Sequence, residues 1–286
     1  MEPFQAACIQ CRSGVDPGEN LAAITPLIQE AAASGALYIQ TPEMTNLLVS
    51  DRRTLMDAVQ LEDQDLFVRA GCELANELGV WLHFGSLAIL NVDGTVSNRA
   101  FMISPAGIIT GRYDKIHMFD VDLPDGESWR ESNTYRAGSD IITLDLPFAE
   151  LGMGICYDIR FPHLFRSQAK AGAVVLTAPA AFTRQTGAAH WHVLLRARAI
   201  ENGAFFVAAA QGGAHQDGRE TYGHSMIVDP WGRILAEMDN NDPGWISARI
   251  DPDKAMTYRQ RIPSLKNERR LSMPETEKFQ KSGAEA

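Results

Sequence analysis

The chain has 286 residues, of which 45% are hydrophobic and 22% charged, an ordinary globular composition with ample material for a core. Its 36 acidic residues outnumber 26 basic ones for a formal net charge of −10, and only "KNERR" near the end forms a basic run. That balance disfavours nucleic acid or an anionic membrane as a partner and points to a small molecule.

The four cysteines, at 8, 11, 72 and 156, are too sparse for a disulfide framework. "MEPFQAACIQ" has no basic segment leading into an apolar one, and runs such as "GAVVLTAPAAF" fall short of the ~20 residues a spanning helix needs. A soluble protein of the reducing cytoplasm is expected.

Taken in order, "FQAACIQC" predicts a strand and "NLAAITPLIQEAAASG" an amphipathic helix ending at Gly35. "ALYIQTPE" is a second strand, running straight into Thr41, Pro42 and Glu43. A helix around "QDLFVRAGCELANELG" precedes the strand "VWLHFGSLAIL". Asp93-Gly94, a pair that accepts positive φ, marks a hairpin into "TVSNRAFMIS". A second hairpin runs through "PAGIITGRYDK", and a polar loop is expected from about 120 to 138.

Beyond that loop, "DIITLDL" and "AELGMGIC" form paired strands. "FPHLFRSQAKAG" is a helix, "AVVLTAP" a strand, and "GAAHWHVLLRARAIENG" a helix closed by Gly203. "AFFVAAA" and "GHSMIVDPWG" are strands. Without repeats or low-complexity linkers, residues 1–272 are expected to form one domain and 273–286 a loose tail. Hairpins mixed with βα alternation favour an α/β core of two sheets flanked by helices over a doubly wound sheet.

Several motifs can be set aside. "CIQC" at Cys8–Cys11 lies in a strand, where no helix dipole would favour a thiolate, and no second pair completes a zinc site. Core packing is expected for both cysteines. His190 and His192 in "HWH" are two apart and do not share a helix face, while His215 and His224 are isolated in sequence. No metal or other cofactor is expected. "GHSM" lacks the last glycine of a serine nucleophile elbow, and "GMGICY" lacks that of a dinucleotide loop.

Three polar residues remain where strands end: Glu43, Lys115 and Cys156. Strand ends hold catalytic groups on a rigid scaffold. A free thiol offers only a few per cent thiolate at neutral pH and needs activation. A carboxylate whose pKa is raised toward neutrality can act as its base, and an ammonium can stabilise the oxyanion formed on attack at a carbonyl. Taken singly, Glu43 and Lys115 would be solvated charges and Cys156 a packed hydrophobe.

Their local sequences, "TPEMTNLL", "GRYDKIHMFD" and "GICYDIRFPHLFR", together resemble the nitrilase, or carbon–nitrogen hydrolase, superfamily. The resemblance extends from the first strand to about Arg270. It implies a four-layer α-β-β-α sandwich with Glu43 as base, Lys115 as oxyanion stabiliser and Cys156 as nucleophile. It also implies a second glutamate, Glu131 in "WRESNTYRAG", that positions the lysine and substrate, and pairing through helices on one outer face into at least a homodimer. The Tyr157 N–H at a sharp elbow would face the oxyanion beside Lys115.

"CYDIRFP" resembles the branch that holds ω-amidases and deaminated glutathione amidases rather than nitrile hydrolases. The later segments from "PAAFTRQTG" to "YGHSMIVDPWG" are most similar to the deaminated glutathione amidases. The implied reaction cleaves an amide through a thioester, releasing 2-oxoglutarate and cysteinylglycine. The alternatives are an ω-amidase acting on 2-oxoglutaramate, an N-carbamoyl amino acid hydrolase, a silent scaffold, and a thiol redox protein built on "CIQC". Loss of any one of Glu43, Lys115, Glu131 or Cys156 would suffice to silence the chemistry, and the presence of all four argues against a silent scaffold.

An anionic substrate needs cationic or N–H donors. Arg160, Arg184 and His190 are the candidates, with Phe182, Thr183, Thr186 and Gly187 as pocket wall and donors. Arg160 could instead pair with Asp158.

Overall fold

The computed structural model describes residues 1–123, 126 and 128–272. The tail expected at 273–286 lies outside them. After β1 (Phe4–Gln10) and α1 (Pro17–Ala33) come β2 (Tyr38–Gln40), α2 (Arg52–Ala58) and α3 (Leu66–Leu78). Three hairpin-linked strands follow: β3 (Trp81–Leu90), β4 (Val96–Ile103) and β5 (Ile109–Asp114). The expected polar loop carries the hairpin β6 (Asp120–Asp122) and β7 (Ser128–Arg130), a 3-10 turn at Glu131–Asn133, and β8 (Tyr135–Arg136).

The second half runs β9 (Thr143–Leu146), β10 (Ala149–Gly152), a 3-10 turn at Cys156–Arg160, α4 (Pro162–Lys170), β11 (Val175–Thr177), α5 (Arg184–Asn202) and β12 (Phe205–Ala208). It ends with β13 (Gly212–Ala214), β14 (Glu220–Tyr222), β15 (Met226–Val228), β16 (Ile234–Glu237), β17 (Gly244–Ile250) and α6 (Pro252–Arg261).

The larger sheet has the order β17-β1-β2-β3-β4-β5, with β8 joined to β4. The second has the order β16-β15-β12-β11-β10-β9. Each has a parallel centre of three strands and antiparallel margins, except that β8 joins β4 in parallel.

Alternation along β1 shows the layering. Ala7 and Ile9 pack with Ile24 and Ile28 of α1 and Phe67 and Ala75 of α3, the outer helical layer. Phe4, Ala6 and Cys8 face the other way, into the core shared with the second sheet, where Phe4 packs on Phe148 with ring centroids 4.4 Å apart and Cys8 Sγ lies 4.0 Å from the Met226 carbonyl of β15. Trp191, Leu195 and Ala199 of α5 and Leu164 and Phe165 of α4 belong to that same core and form the fourth layer. This is the expected α-β-β-α sandwich.

Helix limits follow from capping. Asp16 accepts from the Glu19 amide to start α1, and Asp65 accepts from Phe67 and Val68 to start α3, which Gly79 closes at φ 67°. Thr183 caps α5, so that helix begins at Arg184, three residues before the expected "GAAH". Gly203, at φ 55°, ends it where expected. Cys8 and Cys11 are both buried and unpaired, as core packing requires. Burial pushes the Cys11 thiol up to about 12, which leaves it inert as a nucleophile at neutral pH.

Candidate active site

The loops after β2, β5 and β10 bring Glu43, Lys115 and Cys156 together at one end of the two sheets. Glu43 and Met44 are fixed by their own backbone. Gln211 Nε2 donates to both their carbonyl oxygens, at 3.0 and 3.2 Å, and the Met44 amide donates to Ser86 Oγ at 2.9 Å. Cys156 opens its 3-10 turn with its amide donated to the Pro179 carbonyl at 2.9 Å.

Met44 and Cys156 both have positive φ, 55° and 48°. Such a conformation costs roughly 1–3 kcal/mol per non-glycine residue and persists only where the surroundings dictate it. Gly85 lies between these loops. A Cβ there would overlap the carbonyl oxygens of Thr41 and Pro42 and the ring of Pro179, so only glycine lets the glutamate loop and the loop after β11, whose Pro179 carbonyl holds the Cys156 amide, close on β3.

Lys115 is 2% exposed, and among the described residues its ammonium donates to carboxylates alone. Nζ donates to Glu43 Oε1 at 2.8 Å and to Glu131 Oε1 and Oε2 at 3.0 and 2.8 Å. Asn98 Nδ2, from β4, ties the same two acids together, donating to Glu43 Oε1 at 2.9 Å and Glu131 Oε1 at 3.1 Å. Glu43 Oε2 accepts from the Ala181 amide and Glu131 Oε2 from that of Phe119. The Cys156 thiol lies beside Glu43, near enough for each to shift the other's protonation, and both line one cavity.

Two carboxylates around one ammonium leave a net negative charge beside the sulfur. Burial and then the Glu43 charge push the Cys156 thiol well above its ordinary value, against the pull of Lys115. Burial pushes Glu43 up, but the Lys115 charge and hydrogen bonds from Lys115, Cys156 and Asn98 prevail and hold it below the usual carboxylate value. Burial opposes the Lys115 charge, and Glu131 and Glu43 overcome it, so the ammonium persists. The resting site is therefore carboxylate, ammonium and neutral thiol. The base expected to be raised toward neutrality is instead lowered, because its partner cation sits at hydrogen-bond distance.

A cavity of about 330 Å³ opens over these groups. Glu43, Lys115, Glu131 and Cys156 line it, as do Tyr157, Phe182, Thr183 and Thr186. Arg160, Arg184 and His190 do not. The Arg160 guanidinium rests against the Tyr157 and Phe182 rings, 5.8 and 5.4 Å from their centroids, and shares His190 Nδ1 at 3.3 Å. Asp158 is not its partner either. Arg184 points outward to Glu220 at 2.9 Å, with its side chain 72% exposed.

A family model for carbon-nitrogen hydrolases matches residues 5–260. The chain belongs to the carbon–nitrogen hydrolase family. It is 39% identical over 272 residues to the deaminated glutathione amidase of Synechocystis, covering 93% of this hydrolase and 98% of that protein. It is 38% identical to that of Yersinia enterocolitica, with 95% of each covered, and 36% identical to that of Mus musculus. Among solved structures, the Caenorhabditis elegans NitFhit protein aligns with TM-score 0.87 and 34% identity, over 93% of this chain but only 65% of that one. Saccharomyces cerevisiae Nit3, a member of branch 10 of the nitrilase superfamily, aligns with TM-score 0.83 and 28% identity over 92% and 95% of the two chains.

In this hydrolase several site residues escaped sequence reasoning. Asn98 bridges the two acids. Buried Asp158 clasps the elbow to the lysine strand, accepting from the Ile155 amide at 2.8 Å, from Tyr113 Oη at 2.7 Å and from the His117 amide at 3.1 Å. Arg219 lines the cavity, its guanidinium 5.1 Å from the Trp129 ring centroid and its Nε on Asp217 at 2.8 Å. "CYDIR" places Asp158 two residues from Cys156. Nothing local marked Asn98 or Arg219.

Proposed function

We propose that this carbon–nitrogen hydrolase cleaves the amide of deaminated glutathione, releasing cysteinylglycine and 2-oxoglutarate through a thioester on Cys156. The observation that carries the proposal is Glu43, a single carboxylate that accepts from the Lys115 ammonium at 2.8 Å and lines the same cavity as the Cys156 thiol. Because Glu43 rests ionised and the thiol rests protonated, proton transfer accompanies substrate attack rather than preceding it. The sulfur bonds to the amide carbon as Glu43 takes its proton. The Lys115 charge and the Tyr157 N–H stabilise the oxyanion, the Cys156 N–H being held by Pro179. Glu43 returns the proton to the departing amine. It then takes a proton from water as that water attacks the thioester, and the carboxylate product leaves with the thiol restored.

Glu131 holds Lys115 through two contacts and acts as a positioning residue. The curated relatives named for deaminated glutathione support the substrate. So do Arg219 and Arg130 at the cavity, cations suited to an anionic substrate. The test is kcat/KM for deaminated glutathione beside 2-oxoglutaramate, with Cys156→Ala as blank. A preference for the tripeptide-like substrate supports the proposal, and a preference for the small amide makes the protein an ω-amidase.

We further infer one domain over 1–272, a cytoplasmic location and a homodimer. No helix among the described residues is long and apolar enough to cross a membrane. Exposed Val193, Ile200 and Trp231 offer an apolar outer face for pairing. Light scattering on the purified chain tests the dimer.

A further inference from the structure

Away from the cavity, the topology assembles a donor set that no sequence spacing reveals. His192 of α5, His224 between β14 and β15, and Glu237 at the end of β16 bring one ligand atom each within 4.8 Å of the others, the only such group among the described residues. Glu237 Oε1 accepts from His192 Nε2 at 2.6 Å and from His224 Nδ1 at 3.1 Å. None of the three lines the Cys156 cavity. We propose that His192, His224 and Glu237 form a second site, which binds a divalent transition metal ion of the zinc class.

Two imidazoles and a carboxylate suit that ion, and three protein ligands leave a coordination position for water. Bonds of about 2.0–2.1 Å in a tetrahedral arrangement put ligand atoms roughly 3.3 Å apart, so the two Glu237 contacts need open by less than an ångström while the imidazole nitrogens, within 4.8 Å of each other, close on the ion. The imidazole hydrogens now directed at Glu237 would move to the opposite ring nitrogens.

The ligands are already oriented. The Tyr222 ring stacks on His224, with centroids 4.4 Å apart and planes 25° apart, and meets His192 edge-on at 6.1 Å. His224 has φ 58°, a strained conformation for histidine. Its carbonyl accepts from Trp191 Nε1 at 2.8 Å, which locks the loop to the helix turn bearing His192.

Glu237 has these two imidazoles as its ion-pair partners and no lysine or arginine, among the described residues. With neutral imidazoles its charge is uncompensated, and a cation would neutralise it. The side chains are 21–33% exposed, so an ion can enter from solvent. Bound there, it would tie α5 to β16, the edge strand of the second sheet.

The test is titration of the metal-free full chain with Zn2+ by calorimetry and with Co2+ by visible absorption. Parent, His192→Ala, Glu237→Gln and Cys156→Ala are compared. The expected result is one ion per chain in the parent and in Cys156→Ala, cobalt d–d bands without a thiolate charge-transfer band, and a melting temperature that rises with Zn2+. His192→Ala and Glu237→Gln should each weaken binding at least ~100-fold, beyond the 10–100-fold loss from removing a ligand's supporting hydrogen bond. Absence of stoichiometric binding in the parent overturns the proposal. So does unchanged affinity in both ligand variants, or a charge-transfer band that disappears with Cys156→Ala, which would assign the ion to the active-site thiol. The parent's cobalt spectrum remains decisive even if a ligand variant melts early.

Discussion

Asn98 is the most revealing residue to perturb, because it does not itself line the cavity yet holds both acids that do. Its Nδ2 is 2.9 Å from Glu43 Oε1 and 3.1 Å from Glu131 Oε1. Asn98→Ala removes two hydrogen bonds to charged oxygens, each worth about 1.5–3 kcal/mol. Both oxygens keep Lys115 Nζ, so the loss should fall near the lower end of their sum, about 3 kcal/mol, or roughly 100-fold in kcat/KM where it falls on the transition state.

Asn98→Asp keeps the shape but replaces the donor with an acceptor. Ionised, the introduced carboxyl would meet two carboxylate oxygens at about 3 Å, a repulsion of about 5 kcal/mol each at an effective dielectric near 20. It would therefore hold its proton to unusually high pH, and that proton can satisfy only one of the two acids. The variant should be most active at low pH and lose activity as pH rises and the introduced group ionises. The assay is kcat/KM against pH for parent, Asn98→Ala and Asn98→Asp, with thermal melts to exclude unfolded protein. Both variants within threefold of the parent, with the parent's pH profile, would refute the bridging role.

Gly85→Ala, which drives a methyl into Thr41, Pro42 and Pro179, should cut activity at least ~100-fold by displacing both catalytic loops and should lower the melting temperature, read together by kinetics and calorimetry. Arg219→Ala should raise KM for an anionic amide about 10–100-fold, the worth of one charge-assisted contact, with kcat little changed. Arg184→Ala, outside the cavity, should leave both within twofold. Activity should stay level from about pH 5 to 9, since Glu43 is ionised below the ordinary carboxylate value and Lys115 charged above the ordinary lysine one. An inflection between pH 6 and 8 would contradict that assignment. Because the Glu43 pKa is lowered on folding, its contribution to stability is present above the unfolded value and is lost as pH falls through the folded one, measurable by denaturant titration at pH 3 to 6.

Glu43, Lys115 and Cys156 were legible because each sits within a few residues of a strand end, and strand ends are visible in local periodicity. The two-sheet core was legible for the same reason. What depends on distant pairing was not. β17 lies against β1 in the register Phe4↔Ile250, and nothing in "GWISARI" announces that partner. Asn98 reads as an ordinary residue of a half-buried strand until β4 is set beside the loops after β2 and β5.

Arg184 shows the opposite error. Proximity in sequence to "PAAFT" suggested the pocket, but the Thr183 cap starts a helix there and turns Arg184 toward Glu220. Arg219, on a loop 63 residues beyond Cys156, lines the cavity instead. His192, His224 and Glu237 meet only because β16 pairs with β15 beside α5.

The central claim is that Cys156 carries the acyl group between two half-reactions. It is tested most directly by mixing enzyme with excess deaminated glutathione, quenching with acid within a turnover, and mapping the digested protein by mass spectrometry. The account requires one 2-oxoglutaryl group on the peptide containing Cys156, absent from Cys156→Ala and decaying as substrate is consumed. Steady turnover with Cys156 unmodified at every time point would contradict it.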